Sequence, residues 1–239
     1  MSSPGAVSHT HDQSHGQRNS GKLDDLHESL ILVTHFLLIR HGETEWNRAQ
    51  RIQGQRESEL SPAGLAQAAA LAAHLSNVAA DALVSSDLGR TMRTAAPLGR
   101  RLGLAVEASS ALRERAFGVF EGLTTDQIKH SFPAAYASWK ARDPDFVIPG
   151  GESLVGLRMR VKAALESIAG RGQKQVIVVT HGGVLDAAYR IAEGIDDRAP
   201  RAWVLANAGI NRIEIDAGRW RLGAWGEVAH LAGAVDDPV

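Results

Sequence analysis

Two short runs constrain this chain most. "FLLI" (36–39) and "VIVVT" (176–180) are continuous runs of apolar or β-branched residues, with no polar alternation. A strand of that kind has to be covered on both faces, which calls for a sheet with helices above and below it. "ALVSS" (82–86) is a weaker third run. Helix patterns lie between them. Ser61-Pro62 reads as an N-cap followed by proline at the first helical position, and Leu65, Ala68, Ala72 and Leu75 then recur on one face. Leu154, Leu157, Val161, Leu165 and Ile168 form a second stripe of the same period. Strands alternating with helices predict an α/β fold, a three-layer α/β/α sandwich around a mostly parallel central sheet.

Two stretches depart from that alternation. "INRIEIDAGRWRLGAW" alternates apolar and polar residues about Asp216-Ala217-Gly218, which predicts an antiparallel hairpin at one edge. Residues 110–150 are less periodic, carry Pro133, Pro144 and Pro149, and read as a cap-like insertion.

At 239 residues the chain suits one sizeable domain, expected over 29–239. Residues 1–28 are rich in Ser, Gly, Gln and His without hydrophobic period, and predict a disordered leader. His9, His11 and His15 within it read as solvated tail residues, because no spacing supports a closed metal site. With 26 basic and 27 acidic residues and no long basic block, neither nucleic acid nor a membrane surface is an expected partner. The absence of cysteine excludes a disulfide framework, a thiolate metal site and a cysteine nucleophile. The longest apolar run, "SLILVTHFLLI", is about half the roughly 20 residues that span a bilayer. A cytoplasmic protein is the simplest expectation, and a homodimer is compatible with the chain.

In an open α/β sheet, ligands bind beyond the carboxyl ends of the strands. Arg40-His41-Gly42-Glu43 follows the first run, Asp87-Leu88-Gly89-Arg90 the "ALVSS" run, and His181-Gly182-Gly183 the last. Each taken alone could be strand-end decoration. Together they bring two histidines, two arginines and several glycines to one rim, a set suited to a small tetrahedral dianion. A helix opening near Gly182 would add its N–H groups and dipole there. A metal fits this rim poorly, since Arg40 and Arg90 would repel a cation, and neither a dinucleotide nor a P-loop glycine fingerprint is present.

These motifs carry a resemblance. "LLIRHGETEWN", "RIQGQRESELSPAGLAQA", "SSDLGRTMRTA", "LRERAFGVFEG", "PGGES" and "VVTHGG" together resemble the histidine phosphatase superfamily, which includes the cofactor-dependent phosphoglycerate mutases. The resemblance runs from about Phe36 to His230. It implies that His41 is the nucleophile that becomes phosphohistidine, that Arg40, Arg90 and His181 complete the phosphate pocket, and that Glu114 is the proton donor. It further implies that Asn47, Gln53 and Gly54 line the substrate mouth, with Arg115 and Gly182 among the substrate-binding positions, and that no metal or cofactor is needed. On the residues alone, Glu114 is equally a surface carboxylate paired with Arg113 or Arg115.

The resemblance also bears on the phosphoryl acceptor. "ERAFG" has Ala116 and Phe117 where the mutases carry histidine and tyrosine, and "VFEGLTTDQI" resembles the broad phosphatase branch. The segment from about Thr124 to Pro149 is short, so water is expected to reach the phosphohistidine. The expected activity is metal-independent hydrolysis of a small-molecule phosphomonoester. A bisphosphoglycerate-dependent mutase is the alternative, and a non-catalytic phosphate-binding protein ranks last because none of the implied catalytic residues is missing. Lys140 and Arg142, after Trp139, read either as a solvated helix face or as a reader of a substrate carboxylate. Selectivity is expected in Phe117, Trp139 and Phe146.

Overall fold

The uninterrupted runs become central strands. The computed structural model describes residues 1–5 and 33–232. Apart from residues 1–5, the leader expected over 1–28, with His9, His11 and His15, lies outside the described residues. The chain divides into a unit of Met1–Leu30 and a unit of Ile31–Val239, and the fold below is that of the second. Its first half runs β1 (Thr34–Arg40), α1 (Glu45–Arg48), α2 (Pro62–His74), β2 (Ala82–Ser86), α3 (Gly89–Leu102) and β3 (Val106–Ser109). α4 (Thr125–Ser131) and α5 (Pro133–Lys140) follow, then α6 (Leu154–Ala169), β4 (Gln175–Thr180), α7 (Gly182–Glu193), β5 (Ile210–Asp216) and β6 (Arg219–Leu222).

The sheet order is β3-β2-β4-β1-β5-β6. β3, β2, β4 and β1 are mutually parallel, with Leu38 opposite Val178, and β5 and β6 add the antiparallel hairpin predicted around Ala217. Successive strand residues point to opposite faces, and the unbroken runs supply both layers. Phe36, Leu38, Val176 and Val178 pack under α6 and α7 with Leu157, Val161, Leu165 and Leu185. Leu37, Ile39, Ile177 and Val179 pack on the other side with Leu71, Leu75, Ala95 and Leu98 from α2, its end and α3. Each valine, leucine, isoleucine or phenylalanine among them contributes roughly 1.5–3 kcal/mol by leaving water.

Two local expectations are corrected and one strand is added. Leu65 is exposed, and α2 instead buries Gly64, Gln67, Ala68, Leu71 and Ala72. The helix is turned because its first turn packs on the loop after β1: a Cβ at Gly64 would collide with the Glu43 carbonyl, and the Glu43 N–H donates to Gln67 Oε1 at 2.8 Å. Leu154 is only half-buried and faces a cavity. β3 carries no run of apolar residues and is unforeseen; it pairs only with β2 at the sheet edge.

Residues 110–150 hold α4 and α5 and their own apolar cluster of Phe120, Ile128 and Ile148, with Phe117, Phe132, Trp139 and Phe146 against it. Thr124 and Gln127 cap α4 reciprocally, and Pro133 opens α5. Among the described residues no helix is long and apolar enough to cross a membrane.

Candidate active site

Because β1, β2 and β4 are parallel, their carboxyl ends share one edge, where α3 and α7 begin. A cavity of about 410 Å³ opens there, lined by Arg40, His41, Arg90, Glu114 and Gly182, with Phe117 and Trp139 from the cap beside it. His181 stands behind His41, fully buried, with ring centroids 5.3 Å apart.

The backbone fixes the chemistry of His41. Its N–H donates to Thr180 O at 2.9 Å, and its carbonyl accepts from Asn207 Nδ2 at 2.9 Å. Nδ1 lies 2.8 Å from the Gly42 carbonyl, which can only accept, so Nδ1 carries the proton and Nε2 the lone pair. Burial, then Arg90 and Arg40, hold this imidazole well below its ordinary value of 6.5. His181 is depressed in the same way, by burial first and Arg90 next. His181 Nε2 meets Ser86 Oγ at 2.8 Å, and Nδ1 is buried without a partner.

These shifts predict a pH dependence. Imidazole NMR of the free protein should show His41 and His181 neutral at pH 6.5 and protonating only at lower pH; a midpoint at 6.5 for His41 would contradict the depressed value. Below 6.5 the unfolded chain binds protons that the folded chain refuses. The folding stability associated with these two histidines is therefore fully present above 6.5 and is lost as pH falls toward the folded values.

Neither Arg90, fully buried, nor Arg40, half-buried, has an acidic partner among the described residues. Arg40 Nη1 donates to Leu205 O, and Arg90 donates from Nη2 to Gly54 O at 2.7 Å and from Nη1 to Arg56 O at 2.9 Å. Among the described residues neither pairs with a carboxylate, and the Nε of each lacks a partner. Burial pushes both guanidiniums below their ordinary value, with Glu114 opposing it. Buried cations compensated only by carbonyl dipoles are costly, and an anion relieves that cost. Gly54 adopts a left-handed φ of 55°, and a Cβ there would collide with the Glu121 carboxylate.

Glu114 is not a surface ion pair. Arg113 instead forms a bidentate pair with Asp87 at 2.7 and 2.6 Å, and the buried Arg115 donates to Glu152 O at 2.8 Å. Burial takes the Arg115 guanidinium down to about 10. The Glu114 carboxylate is left to accept from Arg115 N at 2.7 Å and from Gly183 N at 3.0 Å, which fixes it at the start of α7 with its end in the cavity.

Asn47, Gln53, Gly54, Arg115 and Gly182 all line the same cavity. Asn47 Oδ1 accepts from Thr44 N at 3.1 Å and closes a capping box with Thr44, while Gln53 Oε1 is buried without a partner. Phe117 and Trp139 line it too, but Phe146 does not; it packs within the apolar cluster of the cap. Lys140 is an exposed helix residue, whereas Arg142 reaches the cavity. The reason is a left-handed φ of 53° at Arg142, past the end of α5, which turns its side chain to Asp186 Oδ2 at 3.1 Å. Sequence reading missed Asp186, Asp197, Arg201, Leu205 and Asn207. The helical spacing after "HGG" signals Asp186; the others carry no motif.

Parallel strands that end at a buried imidazole between two guanidiniums define an α/β protein with a cationic pocket at one edge of its sheet. The model of the histidine phosphatase superfamily (branch 1) matches residues 36–228, and the chain belongs to this family. It is 40% identical over 206 residues to a metal-independent phosphoserine phosphatase of Arabidopsis thaliana, covering 84% of each chain. It is 35% identical over 208 residues to the probable phosphoglycerate mutase GpmB of Proteus mirabilis, covering 84% of this chain and 97% of that one. Among solved structures, a mycobacterial glucosyl-3-phosphoglycerate phosphatase superposes with a TM-score of 0.72 at 31% identity, over 82% of this chain and all of the other (100%).

Proposed function

We propose that this protein is a metal-independent phosphomonoester hydrolase acting on small phosphorylated metabolites through a phosphohistidine at His41. The observation that carries the reading is the free Nε2 of a neutral, buried imidazole flanked by Arg40 and Arg90, neither of which pairs with a carboxylate among the described residues. Nε2 attacks phosphorus as the bond to the ester oxygen breaks, and the guanidiniums stabilise charge on the equatorial oxygens. Glu114 is the general acid that hands a proton to the leaving alkoxide. Water then attacks the phosphohistidine, Glu114 takes its proton, the phosphorus-nitrogen bond breaks, and inorganic phosphate leaves. His181 Nδ1 supports one oxygen of the transferring group.

Hydrolysis is favoured over mutation by the short cap, and two of the three relatives described carry phosphatase names. The test is phosphate release from a panel of phosphomonoesters in excess EDTA. Stoichiometric release is expected. Interconversion of 3- and 2-phosphoglycerate under a trace of bisphosphate, without net release, overturns hydrolysis, and activity only with added divalent cation overturns metal independence.

A further inference from the structure

The two histidines of the site have opposite tasks under the hydrolase reading. His41 has to present a lone pair to phosphorus, whereas His181 has to present an N–H to one of its oxygens. A neutral imidazole has one proton for two nitrogens, and the hydrogen bond made by one nitrogen decides what the other carries. For His41 the Gly42 carbonyl decides, because a carbonyl can only accept. The partner of His181 is a hydroxyl, Ser86 Oγ at 2.8 Å from Nε2, and a hydroxyl can donate or accept. The outcome depends on what else that hydroxyl can reach.

Strand register brings the pair together. β2 lies parallel to β4 with Ser85 opposite Val179, so Ser86 and His181 follow at adjoining strand ends, and both are fully buried. The Leu88 N–H donates to Ser86 Oγ at 3.4 Å, a contact that uses a lone pair of the oxygen. The Ser86 carbonyl accepts from the Ser85 and Thr91 hydroxyls, each at 2.8 Å. Among the described residues the only acceptor hydrogen-bonded to Ser86 Oγ is His181 Nε2. A serine that caps a turn is ordinary. Here the capping contact leaves the hydroxyl proton for the ring. The opposite assignment, with the ring proton on Nε2, strands a buried hydroxyl hydrogen without an acceptor. It also turns Nδ1, buried and without a partner in a ring whose centroid is 5.3 Å from that of His41, into a lone pair beside the phosphoryl oxygens.

We infer that Ser86 is a positioning residue: its hydroxyl donates to His181 Nε2 and so fixes the ring proton on Nδ1, where it meets the transferring phosphoryl group. The inference rests on the hydrolase reading for the group that Nδ1–H meets. Both rings then hold their proton on Nδ1, and the two roles differ only in which nitrogen is left to face the phosphoryl group.

Two-bond ¹H–¹⁵N NMR of the wild-type protein, with ¹⁵N-labelled histidine and His181 assigned by the signal lost in His181→Gln, reads the tautomer directly. Nδ1 should show the shift of a protonated ring nitrogen and Nε2 that of an unprotonated one; the reverse pattern overturns the inference. Ser86→Ala should spread the proton over both nitrogens and lower kcat about ten- to a hundredfold, the scale of a buried hydrogen bond left unmade. Ser86→Thr keeps Oγ and should recover the Nδ1–H tautomer with part of the rate. An unchanged tautomer in Ser86→Ala, whatever its rate, makes the serine merely structural and overturns the inference, as does a changed tautomer with an undiminished rate. If the wild type holds the proton on Nδ1 yet releases phosphate from no ester, Ser86 still sets the tautomer and the hydrolase reading falls. Phosphate release with the proton on Nε2 keeps the hydrolase and removes Ser86.

Discussion

Replacing His41 by alanine is expected to lower kcat for phosphate release by about 10⁴- to 10⁶-fold, the scale seen when a covalent nucleophile is removed. The substitution takes away Nε2, the lone pair aimed into the cavity, and leaves Arg40 and Arg90 held by their carbonyls. The variant should therefore still bind phosphate while losing turnover. Rapid acid-free quenching with a ³²P-labelled ester checks the chemistry directly: wild-type protein should carry an acid-labile, base-stable label, and His41→Ala none. Hydrolysis by His41→Ala at more than a hundredth of the wild-type rate would mean that water attacks the ester without a protein intermediate.

Glu114→Gln should cost about 10²- to 10⁴-fold in kcat on alkyl phosphates, the range for a general acid. The amide oxygen can still accept from Arg115 N and Gly183 N, so the geometry at the start of α7 survives and the change isolates the proton. The control is the leaving group. p-Nitrophenolate departs without protonation, so the same variant should lose far less on p-nitrophenyl phosphate. Equal losses on both esters would assign Glu114 to orientation or binding and leave the proton donor elsewhere.

Much of this was legible because it depends on period and on strand direction. Unbroken apolar or β-branched runs at 36–39 and 176–180 are of the kind expected in strands covered on both faces, and parallel strands put whatever follows them on a common edge. Arg40, His41, Arg90 and His181 were found by that rule. The contacts that give them chemistry were not legible, since they join residues far apart in the chain. Gly183 holds Glu114, Ser86 holds His181, and Asn207 holds the His41 carbonyl. Backbone conformation was equally hidden: the left-handed turn that swings Arg142 inward is taken by a residue with no preference for it. β3 escaped because an edge strand with one half-buried valine shows no pattern.

The setting of Arg40 and Arg90 has a further consequence for turnover. Their positive charges are best compensated when a phosphate dianion lies between them, and that condition outlasts the chemistry. On the proposed reading, the anion left after hydrolysis is again one that these cations fit, and its escape returns both guanidiniums to carbonyl dipoles alone. On the proposed hydrolase reading, inorganic phosphate is therefore expected to compete with the next ester for this site, which product-inhibition kinetics would check.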